Sequence, residues 1–365
     1  MIFCEGCFND IELKSVIRSI NKKGDCHICG KSDIFIYDTD TDIQLTDYFD
    51  EFINIYTPSS LLPPNYPKTD LSFLKDELLE KWDIFSNNAK SKAYDILVSI
   101  CKDKYDSTPE LFDGEVGISE LTDSTYLEQN SILRTNSWED FVNSLKMENR
   151  FHTSHINKDI LQQFCTYIKK TYKEGQLFYR GRIATEKGYE KTEMGVPSPE
   201  KASAGRANAA GIRCLYLSND IKTTIHEIRA GTFDYVSIGA FELQKDISVA
   251  DFKAIHKISP FIGDIGFTRS AINREHLKKI NDEMAKPLRR NDSLLDYIPT
   301  EYISDFIKSI TRNEKKEYDG LEYNSTMTFG GYNLAIFYPH LFVCKEVKTY
   351  RIDSIEYNFE IQVVS

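Results

Sequence analysis

The sequence predicts an α+β protein in three parts: a small metal-binding module, a helical segment and a C-terminal domain that mixes strands with helices. Two Cys-x2-Cys pairs lie within the first 31 residues. Between residues 69 and 172, apolar residues recur at intervals of three and four, as they do on one face of a helix. After Gly175, short strand-like runs alternate with Gly-rich loops and a few helical segments.

Composition and charge narrow the class of protein. The 365 residues include 45 basic and 56 acidic side chains, which gives a formal net charge of −11. A surface of this charge repels phosphate backbones at long range, so a protein that coats nucleic acid is disfavoured, although a local basic site stays possible. No run approaches the ~18 apolar residues of a membrane span, and the first residues lack a secretion signal. We therefore expect a cytoplasmic protein without membrane contact.

The first module, predicted over residues 1–40, is defined by Cys4, Cys7, Cys26 and Cys29. Two Cys-x2-Cys turns at this separation are typical of a zinc ribbon, in which four thiolates close a structural zinc site. The alternative is four buried or redox-active cysteines. The basic and acidic residues of the module nearly balance, so its charge does not indicate nucleic-acid binding.

The second domain is predicted to be helical and to span residues 41–172. Residues 32–67 contain no Lys or Arg but seven acids and four prolines, which favours a strand at Ile34–Tyr37 followed by an irregular acidic connection. Ser137 is a candidate N-cap, because acids follow it in the first turn. Helical periodicity is present in four segments, 71–85, 90–103, 137–151 and 158–172.

The third domain is predicted over residues 173–365. Helices are expected at 219–231 and 300–310, and the first of these has Ile221, Ile225 and Ile228 on one face. Strands are expected at 176–184, 214–218, 234–243, 318–325, 333–339, 341–352 and 354–364.

An Arg-x4-His pair, Arg150 and His155, lies in the helical segment. On a helix these side chains would lie near one face, where Arg binds phosphate and His moves a proton. The spacing resembles the motif of HEPN-type ribonucleases. A short pair of this kind arises easily by chance, so we favour an ordinary surface helix end.

The third domain contains a candidate catalytic set of four residues, Arg206, Tyr216, Glu227 and Ser325, and a further candidate binding residue, Asn208. Arg206 and Asn208 lie in a loop of small residues, where a guanidinium and an amide can approach a ligand and the guanidinium can bind pyrophosphate. Tyr216 lies in an otherwise apolar strand, where its ring can stack on a base or ribose. Glu227 lies on the following helix, where a carboxylate can bind ribose hydroxyls or stabilise developing positive charge. Ser325, at the end of a later strand, is expected to orient that carboxylate.

The same residues carry a resemblance to a known family. The segments YRGR, MGVPSPEKASAGRANAAGIRCLYLSND, TTIHEIRAG and YDGLEYNS resemble the RES domain, which is named for its Arg, Glu and Ser. The resemblance covers about residues 175–350 and implies a fold similar to ADP-ribosyltransferases, with a mixed sheet. It assigns the family roles to Arg206, Tyr216, Glu227 and Ser325, and the first family arginine to Arg180. Each residue alone also has an ordinary structural explanation, such as a helix cap or a core tyrosine.

The resemblance implies a function as well. RES proteins are toxins that degrade NAD, and some modify proteins with ADP-ribose. We therefore expect NAD as substrate, a structural zinc ion, and action as a toxin or defence effector that cleaves the nicotinamide–ribose bond. The alternatives are a protein ADP-ribosyltransferase that uses the same site, or a zinc-ribbon adaptor for nucleic acid or protein with an inactive RES-like domain. A HEPN-like N-terminal extension, an antitoxin or regulatory partner, and a homo-oligomer are also expected.

Overall fold

The computed structural model describes residues 1–286 and 293–356 of the chain. It divides into two compact units, one of residues 1–135 with 257–274 and one of residues 136–256 with 275–365. The three domains expected from the sequence, 1–40, 41–172 and 173–365, stay predictions, because these units describe how the chain packs and do not test domain bounds. No helix of the described ranges is both long and apolar enough to span a membrane.

The first unit contains two small antiparallel sheets and seven short helices. One sheet has the order β1-β3-β2, and the other has the order β4-β6-β5. The strands are β1 (Ile2–Cys4), β2 (Lys23–Gly24), β3 (Ile34–Asp38), β4 (Thr57–Pro58), β5 (Ser72–Phe73) and β6 (Glu115–Gly117). The helices are α1 (Ile11–Ser19), α2 (Gln44–Ile53), α3 (Leu74–Asp76), α4 (Ala93–Ile100), α5 (Lys102–Ser107), α6 (Glu110–Asp113) and α7 (Ser124–Asn130).

Helix α2 corrects one expectation. The segment after β3 was expected to be an irregular acidic connection, but residues 44–53 form a helix. Leu45, Phe49, Phe52 and Ile53 recur on one face of it and are fully buried, while the acids lie between them. Apolar burial at helical spacing therefore outweighs the acidic composition of this segment.

Aromatic packing unites the first unit. Phe8 packs at the edge of Phe3 and against Phe49, and Phe49 and Phe52 both contact Phe261. The cysteine module therefore shares one hydrophobic core with the helices that follow it.

The second unit is built on an eight-stranded mixed sheet of order β16-β10-β8-β9-β15-β14-β11-β7. All neighbours pair antiparallel except β11 and β14, which are parallel. The strands are β7 (Lys169–Tyr172), β8 (Leu177–Ala184), β9 (Leu215–Ser218), β10 (Tyr235–Leu243), β11 (Ile247–Asp251), β14 (Gly320–Asn324), β15 (Tyr332–Ile336) and β16 (Phe342–Arg351), and a separate hairpin joins β12 (Thr311–Arg312) to β13 (Lys315–Lys316). The helices are α8 (Trp138–Asn143), α9 (Lys158–Tyr167), α10 (Ile221–Glu227), α11 (Phe267–Ala285), which begins in the first unit, and α12 (Ile298–Ser309).

Two predicted helices end earlier than expected. The first begins at a capping box between Ser137 and Asp140, continues beyond α8 as a π-helical turn, and ends at Glu148. The second ends at Tyr167, and residues 169–172 become strand β7 because they pair with β11. Tertiary pairing thus overrides local helical periodicity here. The strand expected at 354–364 falls largely outside the described residues, and 352–356 form no regular structure.

The sheet of the second unit has a distinct core on each face. Ile221, Ile225 and Ile228 pack with Val236 and Ile238 of β10, as the sequence predicts for one helix face. The opposite face carries the larger core, which includes Phe178, Leu217, Phe241 and Leu334.

A charged cluster is buried near one edge of the sheet. Glu322 is fully buried, and its carboxylate accepts hydrogen bonds from Tyr172 Oη at 2.6 Å, from Lys170 Nζ at 2.9 Å and from Lys253 Nζ. The cluster therefore ties β14 to β7 and to the segment after β11. Burial and the hydrogen bond to Glu322 raise the pKa of Tyr172 well above its ordinary value, so its hydroxyl stays a donor.

We predict that Tyr172→Phe lowers the free energy of unfolding by about 2 kcal/mol, because a buried carboxylate loses one of its donors. Urea denaturation followed by circular dichroism measures the change. Tyr338→Phe is the matched control, since Tyr338 is half-buried and its hydroxyl donates to no described residue. An equal loss in both variants would contradict a specific role for the Tyr172 hydroxyl.

Candidate active site

A cleft of about 290 Å³ is lined by residues of α10 and of strands β8, β9, β14 and β15. Strands β8 and β9 share a single pairing, Tyr179 with Ser218, and residues of both strands line the cleft. Gly181 permits the close approach of α10, since a Cβ there would lie 2.8 Å from Cγ2 of Thr224. The lining comprises Tyr179, Arg180, Gly181, Tyr216, Leu217, Ser218, Thr224, Glu227, Ile228, Tyr323 and Asn333.

Glu227 lies at the end of α10, where the short connection from β9 returns the chain over the sheet. Its side chain is exposed, but its Oε1 accepts hydrogen bonds from Ser325 Oγ at 2.6 Å and from Asn333 Nδ2 at 2.8 Å. No described residue donates to Oε2. One carboxylate oxygen is therefore held by the protein while the other is available to a ligand.

The loop after β14 holds Ser325 in place. Its Oγ accepts a hydrogen bond from the Met327 backbone N–H at 3.2 Å, and its backbone N–H donates to Gly331 O at 2.9 Å. Thr328 Oγ1 of the same loop lies 2.9 Å from Thr223 Oγ1 of α10. The loop and the helix that carries Glu227 are thus joined at two points.

Asn333 and Ser218 are site residues that no motif in the sequence indicates. Both are buried, and Ser218 Oγ donates to Asn333 Oδ1 at 2.7 Å. The available signal was a polar residue inside the apolar strand YNLAI. Polar residues occur in strands for many reasons, so this signal alone does not indicate a site.

Arg180 is the one cationic side chain among the described residues that line the cleft. Its Nε is buried and has no hydrogen-bond partner in the described part of the chain. Burial, and then the nearby Arg182, lower the pKa of the Arg180 guanidinium. A desolvated donor without a partner is costly, which suits a site that is completed by an anionic ligand.

Tyr216 lines the cleft and also orders the loop that contains Arg206 and Asn208. Its hydroxyl donates to Asn208 Oδ1 at 2.7 Å and accepts from the Ala207 backbone N–H at 3.0 Å. Burial raises the pKa of Tyr216 well above 10. The amide nitrogen of Asn208 donates to the carbonyl oxygens of Ser203, Ala209 and Ile212. Asn208 therefore uses its amide nitrogen within the loop and its amide oxygen on Tyr216, and it does not line the cleft.

Arg206 does not line the cleft. Its guanidinium donates to the carbonyl oxygens of Met284 and, at 2.5 Å, of Lys286, which lie at the C-terminal end of α11. It also lies 5.5 Å from the ring centre of Tyr323, which does line the cleft. The structure thus places this arginine as a helix C-cap behind the site rather than on a bound phosphate.

Arg150 and His155 lie in the loop between Glu148 and α9, not on a helix. Arg150 Nε donates to Leu145 O at 3.4 Å, while His155 Nδ1 lies 3.2 Å from Thr153 Oγ1. Arg150 lines a separate cleft of about 250 Å³ with Glu301, and His155 does not. The one-face geometry assumed for a ribonuclease pair is absent from this loop.

The four predicted cysteines form a compact cluster in the first unit. Their sulfur atoms lie within 4.8 Å of one another, with Sγ–Sγ distances of 3.9 Å for Cys4–Cys7, 3.5 Å for Cys4–Cys29 and 3.6 Å for Cys7–Cys26. A tetrahedron with Zn–S bonds of about 2.3 Å has S–S edges of about 3.8 Å. The cluster therefore fits zinc, and its four thiolates leave no open position for a reacting molecule.

The fold and the site define an α+β domain in which a mixed sheet and one short helix hold a glutamate above a cleft. Residues 181–359 match the family model of the RES domain, and this part of the chain is a RES domain. RES domains are associated with NAD-related chemistry. No curated protein and no solved structure matches the chain.

We predict that the purified chain contains one zinc ion and that Cys7→Ser loses it and destabilises the first unit, because the zinc ligands lie in the hydrophobic core of that unit. Elemental analysis and thermal unfolding measure the two effects. Cys101→Ser is the control, since Cys101 is buried outside the cluster. Full zinc content in Cys7→Ser would contradict the assignment.

Proposed function

We propose that the RES domain binds NAD in the cleft beside Glu227 and cleaves the bond between nicotinamide and ribose. The single observation that carries the proposal is the arrangement at Glu227, which lies in a RES domain with one oxygen held by Ser325 and Asn333 and the other without a described donor. A carboxylate so oriented suits a ribose that becomes positively charged.

The chemistry needs little acid catalysis. The C1′–N bond breaks, its electron pair returns to the pyridinium nitrogen, and nicotinamide leaves as a neutral molecule. A water oxygen then bonds to C1′ and releases a proton to solvent, which yields ADP-ribose. Glu227 stabilises the intervening oxocarbenium-like charge and accepts a hydrogen bond from a ribose hydroxyl.

The remaining lining residues suit the parts of the substrate near the breaking bond. Arg180 offers a desolvated guanidinium for the phosphate next to the nicotinamide ribose. Tyr216 and Tyr323 offer aromatic surface to the ribose or the nicotinamide ring. A volume of about 290 Å³ is at the small end of ligand clefts, so the nicotinamide half enters and the adenosine half extends outward.

A toxin of this kind must be restrained in its own cell. We propose that a neutralising partner, or the residues before the RES domain, supplies that restraint. Comparing the NAD turnover of the full chain with and without each candidate partner tests the idea.

Glu227→Gln should reduce NAD cleavage by ~100-fold or more, because the amide keeps the shape of the side chain and its hydrogen-bond acceptor but removes the charge. The rate is measured by chromatography, as the loss of NAD and the release of nicotinamide. Glu242→Gln on β10 is the control, since Glu242 pairs with Lys345 outside the cleft. Equal rates for Glu227→Gln and the wild type would refute the proposal.

The same assay with NAD labelled in the adenosine part separates two outcomes. Free labelled ADP-ribose supports cleavage by water. Label retained on a protein band would instead identify transfer of ADP-ribose to protein from the same site.

Arg180→Met should raise the KM for NAD by ~10-fold or more, because the substrate loses its charge-assisted contact with the phosphate. Arg182→Met is the matched control: Arg182 lies on the same strand, stacks on Tyr189 at 4.2 Å and does not line the cleft. Steady-state kinetics measures both variants. If both raise KM to the same extent, overall charge rather than a specific phosphate contact is responsible.

A further inference from the structure

Asn333 and Ser218 form a chain of two hydrogen bonds that ends on Glu227. Ser218 Oγ donates to Asn333 Oδ1 at 2.7 Å, and Asn333 Nδ2 donates to Glu227 Oε1 at 2.8 Å. Both residues also line the cleft.

The direction of this chain follows from the chemistry of its end group. An ionised carboxylate only accepts hydrogen bonds, so the NH2 group of Asn333 must face Glu227. The amide oxygen must then face Ser218, and the serine hydroxyl must donate. Each group in this series of hydrogen bonds is therefore fixed as a donor or as an acceptor.

The sheet register places the two residues together. Ser218 of β9 and Asn333 of β15 are directly opposite in the antiparallel pairing, where side chains lie close and point to the same face. Each is 5% exposed, so water competes little for their hydrogen bonds. The pair is thus a rigid platform built into adjacent strands.

Glu227 needs such a platform. It is the last residue of a seven-residue helix and is exposed, and Arg229, two residues later, already has a positive φ of 54°. Neither packing nor a continuing helix fixes its side chain. Its orientation therefore depends on donors from β15 and from the loop after β14.

We propose that Asn333 is a positioning residue, oriented by Ser218, that fixes the Glu227 carboxylate so that Oε1 stays on the protein and Oε2 faces the substrate ribose. This inference rests on the proposed cleavage of NAD at the same site. Asn333 thus gives Glu227 a second hydrogen-bond donor in addition to Ser325, and this donor comes from a different strand.

The decisive variant is Asn333→Asp, which keeps the size of the side chain and replaces its donor by a second carboxyl. Two carboxyls at hydrogen-bond distance share a proton up to higher pH than one alone. The acid limb of the profile of kcat/KM against pH should therefore move upward by about one pH unit or more. At neutral pH, kcat should fall by ~10-fold or more with KM nearly unchanged, as for an interaction made mainly in the transition state.

In the described part of the chain, the other titratable groups that line the cleft are Arg180 and Tyr179 of β8, Tyr216 of β9 and Tyr323 of β14. All of them are retained in each variant, so a difference between the pH profiles reports on the exchange at Asn333. A purely structural defect would lower the rate by the same factor at every pH.

Ser218→Ala provides a second, independent test. Without the serine hydroxyl, the amide of Asn333 loses the donor that orients it, and kcat should fall by several-fold without a shift of the acid limb. In the double variant with Asn333→Asp, the two losses should not add, because both act through one chain. If Asn333→Asp lowers the unfolding midpoint below the assay temperature, the kcat of the single variant Ser218→Ala tests the positioning role instead.

Asn219→Asp is the matched control. Asn219 is adjacent to Ser218, and its Oδ1 accepts from the Tyr332 backbone N–H at 2.8 Å, a role that an aspartate can fill. It should retain the wild-type profile. A wild-type kcat and acid limb in Asn333→Asp, together with inactive Glu227→Gln, would refute the positioning role alone. Full activity of Glu227→Gln would refute the proposed function and the positioning role with it.

Discussion

The hydrogen bonds that converge on one oxygen of Glu227 are the interaction on which the site depends. Their donors come from the loop after β14 and from β15, whereas the glutamate comes from the helix after β9. Because β9, β15 and β14 are adjacent and antiparallel, their pairing brings together residues about 100 positions apart in the chain. A single exposed carboxylate becomes an oriented group only because three neighbouring strands are in register.

A buried contact on the opposite face of the sheet helps to fix the position of Ser325. Glu322 and Tyr323 are successive residues of β14, so their side chains point to opposite faces. Tyr323 lines the cleft, and Glu322 is held from behind by Tyr172 and two lysines. A buried carboxylate that loses a donor is destabilised strongly, so β14 has little freedom to shift along its neighbours. The position of Ser325, one residue beyond this strand, follows from that restraint.

The sequence predicts the class of fold well because the signals that define it are local. The RES segments, the cysteine spacing and the strand patterns each depend on nearby residues, and the structure contains the expected mixed sheet, cysteine cluster and α10 face. The failures have a common cause. Helix α2 and strand β7 are decided by burial and by pairing with distant residues, which a local pattern of acids or of helical spacing does not contain.

The two arginines show why a motif identifies a site more readily than it assigns roles within it. Arg206 is in the most recognisable loop of the sequence, yet its guanidinium caps α11 and packs near Tyr323. Arg180 lines the cleft with a desolvated Nε that has no hydrogen-bond partner among the residues the structure describes. Sequence alone does not tell which guanidinium has its partners inside the fold, because the partners of Arg206 are carbonyl groups 78 and 80 residues away. An arginine whose donors are already used stabilises the wall of a site, whereas one with a buried free donor favours an anion within it.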